Sequence, residues 1–194
     1  MNIGIDLDGV VFDSELIFTT QSALFDFEKN GKGIKIPEEL RASKRYCWSK
    51  EMEREFLDRY LLKIEQEAPV MPYAKLILNK LKEEGHKLYG ITNRGYLHKD
   101  EITITLKRLK KEKIKFDDIR FSAMDKLVPC NDFKIDVMID DYYENIEKVS
   151  KEGIKCLYYR DLVLKFIDLE NVTEVNNWAK VYLEIKKIEA ANKK

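Results

Sequence analysis

The sequence is poor in the residue types that build disulfide frameworks, zinc clusters and hydrolytic triads. Its 194 residues include only three cysteines, far apart and without Cys-x-x-Cys spacing, and only two histidines. Sparse, unpaired cysteines are typical of reduced thiols in a cytoplasmic protein. Two histidines offer little material for a zinc cluster or a Ser-His-Asp triad. We therefore expect a cytoplasmic protein whose chemistry depends on other side chains.

Two further absences concern charge and hydrophobic length. Lys plus Arg is 35 and Asp plus Glu is 35, so the formal net charge is zero. The clustered positive excess typical of proteins that bind nucleic-acid polymers is missing. No apolar run approaches membrane-spanning length, and no basic region followed by an apolar stretch stands at the amino terminus. We expect neither a nucleic-acid polymer nor a membrane as partner. The neutral charge does not exclude a substrate with one or two phosphates.

The strongest positive signal lies in the first fourteen residues. An apolar run, residues 3–5, leads directly into Asp6 and Asp8, and Gly9 follows. This pattern predicts a buried strand that ends in two carboxylates. Two carboxylates at one site repel each other, so they need a shared proton or a cation, and Mg²⁺ is a hard divalent ion suited to oxygen ligands. A calcium-binding hand is disfavoured because three apolar residues, 10–12, follow in place of further oxygen ligands.

Alternating strand and helix patterns predict an α/β fold with a parallel sheet flanked by helices. We expect a three-layer, Rossmann-like sheet of about five strands, with residues 1–13 and 72–194 forming the core. Residues 14–71 show only helical patterns and are expected to form a small helical cap inserted after the first strand. The predicted strands are 3–5, 87–91, 118–122, 135–139 and 155–159, and the predicted helices are 15–29, a short one to about 45, 49–67, 74–84, 96–112, 142–152 and 174–190.

Polar side chains follow the ends of four predicted strands. In open α/β sheets, ligands bind outside the carboxyl ends of the strands, so these side chains are expected to meet. They are Asp6 and Asp8 after the first strand, Thr92, Asn93 and Arg94 after the second, Asp125 and Lys126 after the third, and Asp140 and Asp141 after the fourth.

This set of side chains suits the transfer of a phosphoryl group. Asp6 would attack phosphorus and form an aspartyl-phosphate, while Asp8 would protonate the leaving oxygen and then activate water. Thr92, Asn93 and Lys126 would bind the phosphate oxygens, because the charge on the phosphoryl group needs neutralising. The expected metal ligands are Asp6, Asp8, Asp140 and Asp141.

Several assignments have alternatives. Lys134 competes with Lys126, but it precedes the fourth strand and is expected at the opposite edge of the sheet. Arg94 either touches substrate or pairs with an acid on the surface. Spacing alone does not separate Asp140 from Asp141. The aromatic residues Phe18, Tyr46 and Trp48 either stack on a nucleobase or fill the core of the cap.

The motifs at the strand ends resemble the four motifs of the haloacid dehalogenase-like phosphohydrolases. They are Asp6-Leu7-Asp8-Gly9-Val10, Ile91-Thr92-Asn93, Lys126 and Ile139-Asp140-Asp141. The second aspartate of the first motif resembles the phosphatases of that superfamily rather than its dehalogenases. Aligned with the usual Gly-Asp of the fourth motif, Asp141 falls on the metal ligand.

Within that superfamily, the short link from Asp125-Lys126 to Asp140-Asp141 resembles the 5'(3')-deoxyribonucleotidases and their bacterial relatives. The resemblance implies a Mg²⁺-dependent phosphomonoesterase whose cap selects the substrate, with aromatic residues stacking on the base. A (deoxy)nucleoside monophosphate is the expected substrate. The alternatives are a phosphatase for sugar phosphates or other metabolites, and a non-catalytic phosphate-binding module, which would have no use for both Asp6 and Asp8.

Overall fold

A parallel sheet of six strands forms the centre of the computed structural model, which describes residues 1–160 and 167–192. The elements in chain order are β1 Asn2–Ile5, α1 Ser14–Glu28, α2 Ala42–Arg45, α3 Lys50–Glu67, α4 Ala74–Glu83, β2 Lys87–Ile91, α5 Asp100–Glu112, β3 Asp118–Arg120, α6 Leu127–Asp132, β4 Val137–Asp140, α7 Tyr143–Ser150, β5 Lys155–Tyr159, β6 Val172–Val175 and α8 Trp178–Asn192. The strand order is β3-β2-β1-β4-β5-β6, and every neighbouring pair is parallel. The predicted α/β parallel sheet is therefore confirmed.

Helices cover both faces of the sheet. Strands buried on both faces read as nearly continuous apolar runs, and the side chains of Ile3, Ile5 and Ile139 are accordingly fully buried. One apolar cluster joins the sheet to α4 and α8, and a second joins it to α6 and α7. The result is the expected arrangement of three layers. Among the helices that the structure describes, none combines the length and apolar character needed to cross a bilayer.

The carboxyl-terminal part of the sheet differs from the prediction. Residues 172–175 form a sixth strand, paired in parallel with β5, where the sequence predicts the start of the last helix at residue 174. Valines at both ends of this short segment suit a strand at the edge of the sheet. The last helix begins instead at Trp178, whose fully buried indole donates a hydrogen bond to the carbonyl of Val10 at 2.9 Å.

Two further differences lie between β2 and β4. Helix α5 begins at Asp100, not at residue 96, because the preceding loop is held by Glu101, which accepts hydrogen bonds from the amides of Gly95 and His98 at 2.7 and 2.6 Å. A short helix that the sequence analysis missed, α6, follows Lys126. Pro129 lies in its first turn, where proline is tolerated because the amide there needs no helical partner.

Helices α1, α2 and α3 occupy the segment between the first strand and α4. Phe25, Phe56 and Ile64 form an apolar cluster of their own there. The two ends of this helical segment lie side by side, since the amide of Asp13 donates a hydrogen bond to the carbonyl of Pro69 at 2.8 Å. Arg108 of α5 also donates to the carbonyls of residues 65, 66 and 68 at the end of α3. These contacts place the helical segment over the carboxyl edge of the sheet.

Candidate active site

The carboxyl ends of the central strands form the floor of a large cavity. Because β1 lies between β2 and β4, the polar residues that follow these three strands are brought together. The cavity has a volume of about 780 Å³. The predicted site residues among those that line it are Asp6, Asp8, Asn93, Lys126, Asp141, Phe18, Tyr46 and Trp48.

Lys126 bridges two of the carboxylates. Its Nζ lies 2.8 Å from Asp6 Oδ2 and 2.7 Å from Asp140 Oδ2, and the residue is only 5% exposed. Burial opposes the charged form, but Asp140 and Asp6 outweigh it and raise the pKa of Lys126. The ammonium therefore stays charged next to Asp6.

Asp140 is fully buried and already well supplied with hydrogen-bond donors. Besides Lys126, the amide of Tyr142 donates to it at 2.9 Å, and Asn145 Nδ2 lies 3.2 Å from each of its oxygens. Asn145 also lines the cavity. Asp140 therefore orients Lys126 from beneath the cavity floor.

Asp141 is arranged differently. In the part of the chain that the structure describes, no donor forms a hydrogen bond with its carboxylate. Its carboxylate folds over Gly9, where a Cβ atom would come within 1.9 Å of Asp141 Oδ2, so only glycine fits there. Burial, together with the nearby charges of Asp6 and Glu15, raises the pKa of Asp141 well above its usual value. A half-buried acid without a hydrogen-bond donor among the described residues is suited to a cation.

The carboxylates of Asp6, Asp140 and Asp141 form a donor set suited to a metal ion. One oxygen from each lies within 4.8 Å of the others. Burial raises the pKa of Asp6 to about 7, and Asp140 and Asp8 act in the same direction. Hard divalent cations prefer such oxygen ligands and would relieve the repulsion between the acids. The residues present therefore fit a divalent metal, as the sequence predicts.

Asp8 was also expected among the metal ligands, but its side chain is engaged elsewhere. Arg94 donates to both of its oxygens, from Nε at 2.8 Å and from Nη2 at 2.6 Å. Burial alone would raise the pKa of Asp8, but the Arg94 guanidinium outweighs burial and lowers that pKa below its usual value. The Asp8 carboxylate lies outside the group formed by the other three aspartates.

Arg94 is buried rather than placed at the surface. It is 2% exposed, and it also donates from Nη1 to Thr105 at 3.0 Å. Glu65 of α3 lies 3.8 Å from its Nε. Of the two expectations for Arg94, pairing with an acid holds, but the acid is Asp8 at the floor of the cavity. The ion pair links residues 86 positions apart.

The loop after β2 places Thr92 and Asn93 at different depths. The hydroxyl of Thr92 is fully buried and accepts a hydrogen bond from the amide of Arg94 at 3.2 Å. Asn93 is exposed and lines the cavity. Thr92 thus shapes the loop, while Asn93 and the loop face the space in front of Asp6.

The aromatic residues of the cavity wall contact one another. Tyr46 and Trp48 are stacked at 5.2 Å with planes 18° apart, and Trp48 Nε1 donates to Asp26 at 2.7 Å. Trp48 and Phe18 both pack against Phe56. These contacts match the alternative in which the three rings belong to the core of the helical segment, although all three also line the cavity.

Lys134 lies at the opposite edge of the sheet from Lys126. It is exposed, and its carbonyl accepts a hydrogen bond from Asn2 at the start of β1. This placement agrees with the preference for Lys126.

Among the cavity residues that the sequence analysis missed are Glu15, Glu65 and Asn145. Burial raises the pKa of Glu15 to about 7, assisted by Asp8 and Asp13, and burial raises that of Glu65 to about 8. Glu15 lies three residues before Phe18 on α1, so helical spacing from Phe18 could have indicated that it faces the same cavity.

The pairing of Arg94 with Asp8 gives a testable prediction. In an Arg94→Met variant, Asp8 loses both hydrogen bonds and its pKa rises, so the limb of the pH profile of kcat/KM that reports Asp8 should move to higher pH. The free energy of unfolding should fall by about 2 to 3 kcal/mol. Arg59→Met, which removes an exposed arginine paired with Glu28, is the control. An unchanged pH profile in a folded Arg94→Met variant would contradict this role.

Comparisons with known proteins indicate the family of this chain. Residues 1–191 match the family described as 5' nucleotidase, deoxy (pyrimidine), cytosolic type C protein (NT5C). A nucleotidase from Clostridium acetobutylicum is 26% identical over 190 residues, which cover 94% of this chain and 92% of that protein.

Solved structures of low sequence identity share the fold. A haloacid dehalogenase-like family hydrolase from Streptococcus pneumoniae has a TM-score of 0.68 at 19% identity, covering 95% of this chain and 97% of the other. A predicted phosphatase from Clostridium acetobutylicum has a TM-score of 0.65 at 19% identity, covering 96% and 98%. The chain belongs to the cytosolic type C 5'-nucleotidase family, within the haloacid dehalogenase-like hydrolases that act on phosphoric monoesters.

Proposed function

We propose that this protein is a Mg²⁺-dependent phosphatase that hydrolyses (deoxy)nucleoside monophosphates through an aspartyl-phosphate on Asp6. The observation that carries the proposal is the position of Asp6 at the floor of the cavity, beside the Lys126 ammonium and next to Asp140 and Asp141. A carboxylate held beside fixed positive charge can attack phosphorus while that charge neutralises the phosphoryl oxygens.

The metal would be held by Asp6 and Asp141, with Asp140 completing the group. Asp141 is the better direct ligand, because the oxygens of Asp140 already accept hydrogen bonds from Lys126, Tyr142 and Asn145. When bound, the ion supplies charge neutralisation for the phosphoryl group. Lys126, which contacts both Asp6 and Asp140, supplies the remaining positive charge.

In the first step, an oxygen of Asp6 forms a bond to phosphorus while the bond from phosphorus to the ester oxygen breaks. Asp8 gives its proton to that leaving oxygen. In the second step, Asp8 takes a proton from water, the water oxygen attacks the same phosphorus, and Asp6 is released with inorganic phosphate. Arg94 favours the ionised form of Asp8 that the second step needs. The first step needs the protonated form, so the Asp8-Arg94 pair must loosen when substrate is bound.

Residues 14–71 act in this proposal as the cap that closes over the substrate. Phe18, Tyr46 and Trp48 give one wall of the cavity an aromatic surface, which suits the flat face of a nucleobase better than a sugar. Cys47, Cys130 and Cys156 are free thiols, in keeping with a cytoplasmic location. A phosphatase for sugar phosphates is the alternative function.

A phosphate-release screen tests this function. With Mg²⁺, we expect deoxynucleoside monophosphates to be hydrolysed with higher kcat/KM than sugar phosphates, and removal of the metal with EDTA should slow release at least about a hundredfold. Mg²⁺ should also raise the Tm of the wild type, because a ligand bound only by the folded state stabilises it. Asp141→Asn should abolish that rise.

Two results would contradict the proposal. Full activity in EDTA would show that the reaction does not need a metal ion. A higher kcat/KM for sugar phosphates than for nucleotides would favour the alternative function.

A further inference from the structure

Arg94 lies within ion-pair distance of two carboxylates that belong to different parts of the chain. It donates hydrogen bonds to both oxygens of Asp8, from Nε at 2.8 Å and from Nη2 at 2.6 Å, and its Nε lies 3.8 Å from Glu65 Oε1. Asp8 follows β1, whereas Glu65 lies in the last turn of α3. Nε is thus the nitrogen that the two acids share.

The two acids differ in their exposure. The side chain of Asp8 is 31% exposed, but the side chains of Glu65 and Arg94 are only 3% and 1% exposed. Asp8 can therefore turn towards a substrate in the cavity, while Arg94 and Glu65 stay buried. The proposed reaction needs such a turn, because in its first step Asp8 leaves Arg94 and gives its proton to the leaving oxygen.

The Arg94 guanidinium is also held by two neutral groups. Its Nη1 donates to the hydroxyl of Thr105 at 3.0 Å, and it lies over the ring of Phe12, 5.1 Å from the ring centroid. Neither group balances its charge, which an arginine keeps throughout the accessible pH range. Because a buried charge that loses its partner is strongly destabilising, the departure of Asp8 requires a second acid near Arg94.

Glu65 has an unused acceptor with which to be that acid. Its Oε2 is buried and forms no hydrogen bond within residues 1–160 and 167–192. Its backbone is fixed, because Arg108 donates to its carbonyl at 3.4 Å. Burial raises the pKa of Glu65 to about 8 and Arg94 opposes this rise, so a closer guanidinium would favour the charged carboxylate. A shift of about 1 Å would turn the 3.8 Å contact into a charge-assisted hydrogen bond.

We propose that Glu65 is a positioning residue that pairs with the Arg94 guanidinium when Asp8 turns to the leaving oxygen. This inference rests on the phosphatase function proposed above. In the first step, the pairing of Arg94 with Glu65 leaves Asp8 free to protonate the leaving group. In the second step, Asp8 is ionised and pairs with Arg94 again, so this step does not need Glu65. Glu65 touches neither the substrate nor the reacting atoms and acts through Arg94.

The kinetic test uses Glu65→Gln, which keeps the shape of the side chain and removes its charge. The measured quantity is kcat/KM, because it reports the first step, in which the leaving group departs. For a deoxynucleoside monophosphate, whose leaving alcohol must be protonated, we expect kcat/KM to fall about tenfold. For p-nitrophenyl phosphate, whose leaving group departs as a stable anion, it should stay within about twofold of the wild type. Glu67→Gln, the same change on an exposed side chain of α3, is the control and should affect neither substrate.

Thermal unfolding without substrate tests the exchange of partners directly. In the wild type, Asp8 already pairs with Arg94, so Glu65→Gln should change the Tm by less than about 2 °C. In Asp8→Asn, the pairing should pass to Glu65, and adding Glu65→Gln should then lower the Tm by at least about 6 °C, because a buried charge is left unpaired. An equal change of Tm in the two backgrounds would show that Glu65 has only a structural role, and it would overturn the inference.

The kinetic outcomes separate this inference from the proposed function. If Asp8→Asn loses more activity on the nucleotide than on p-nitrophenyl phosphate but Glu65→Gln loses equally on both, or on neither, the role of Glu65 alone is overturned. If Asp8→Asn itself loses equally on both substrates, Asp8 is not the acid, and both proposals fail. If the wild type prefers a sugar phosphate, the nucleotide assignment fails, and the same comparison with that substrate decides the role of Glu65, because its leaving group is also an alcohol.

Discussion

Asp6→Asn is expected to lower phosphate release at least about a thousandfold while the protein stays folded. The amide cannot form the bond to phosphorus that the proposed reaction needs. The neighbouring aspartates are engaged otherwise, since Asp140 is buried beneath Lys126, Asp8 is held by Arg94, and Asp141 is the proposed metal ligand. The fold should survive, since Asn has nearly the same shape and its oxygen can still accept a hydrogen bond from Lys126 Nζ.

The same variant should change how stability depends on pH. Burial raises the pKa of Asp6 to about 7, from 3.8 for the free side chain. A raised pKa means that the folded state favours the protonated form, so this group's contribution to stability is present below about pH 4 and is lost as the pH rises towards 7. Without metal, Asp6→Asn should therefore become more stable relative to the wild type as the pH increases over this range.

Steady-state kinetics and urea unfolding at several pH values measure both effects. Asp136→Asn is a matched control, because this exposed acid lies at the opposite edge of the sheet, where it accepts a hydrogen bond from the amide of Asn2. It should retain full turnover. Unchanged turnover in a folded Asp6→Asn variant would show that Asp6 is not the nucleophile.

The sequence could predict that the site residues lie close together, because their proximity follows from a topological rule. Parallel strands bring their carboxyl ends to one edge, so apolar runs followed by acids or a lysine indicated that Asp6, Lys126 and Asp140 would meet. The bounds of β2 and β5 were also predicted as observed, since each strand is a distinct run that follows a helix ended by a glycine.

Other features depend on contacts that local patterns do not encode. The strand β6 is only four residues long and lies at the sheet edge, where its pairing with β5 decides its conformation. The pairing of Arg94 with Asp8 depends on the exact packing of two loops. Local patterns also could not show that Tyr46 would stack on Trp48.

Lys126→Met is expected to cause the second large effect, on both activity and stability. The variant leaves the carboxylates of Asp6 and Asp140 without the ammonium that contacts each at 2.8 Å or less. Breaking a buried ion pair by removing one partner costs about 3 to 5 kcal/mol. Because positive charge next to Asp6 also neutralises the phosphoryl group, turnover should fall at least about a hundredfold.

The pH dependence distinguishes lost charge from lost packing. Lys126 lowers the pKa of Asp6 against the effect of burial, so in Lys126→Met the acid should hold its proton to a higher pH. The loss of stability should then be smaller at pH 5, where Asp6 is neutral, than at pH 8. A deficit that is equal at both pH values would indicate that only the packing of the aliphatic chain was lost.

Lys134→Met completes the test, because Lys134 was the competing candidate for the phosphate-binding role. It is exposed in the segment before β4, at the edge of the sheet opposite the cavity. Its replacement should change the free energy of unfolding by less than about 0.5 kcal/mol and leave turnover intact. If Lys134→Met lost activity and Lys126→Met kept it, the phosphate would bind at the other edge of the sheet, and the assignment of Asp6 as nucleophile would fail with it.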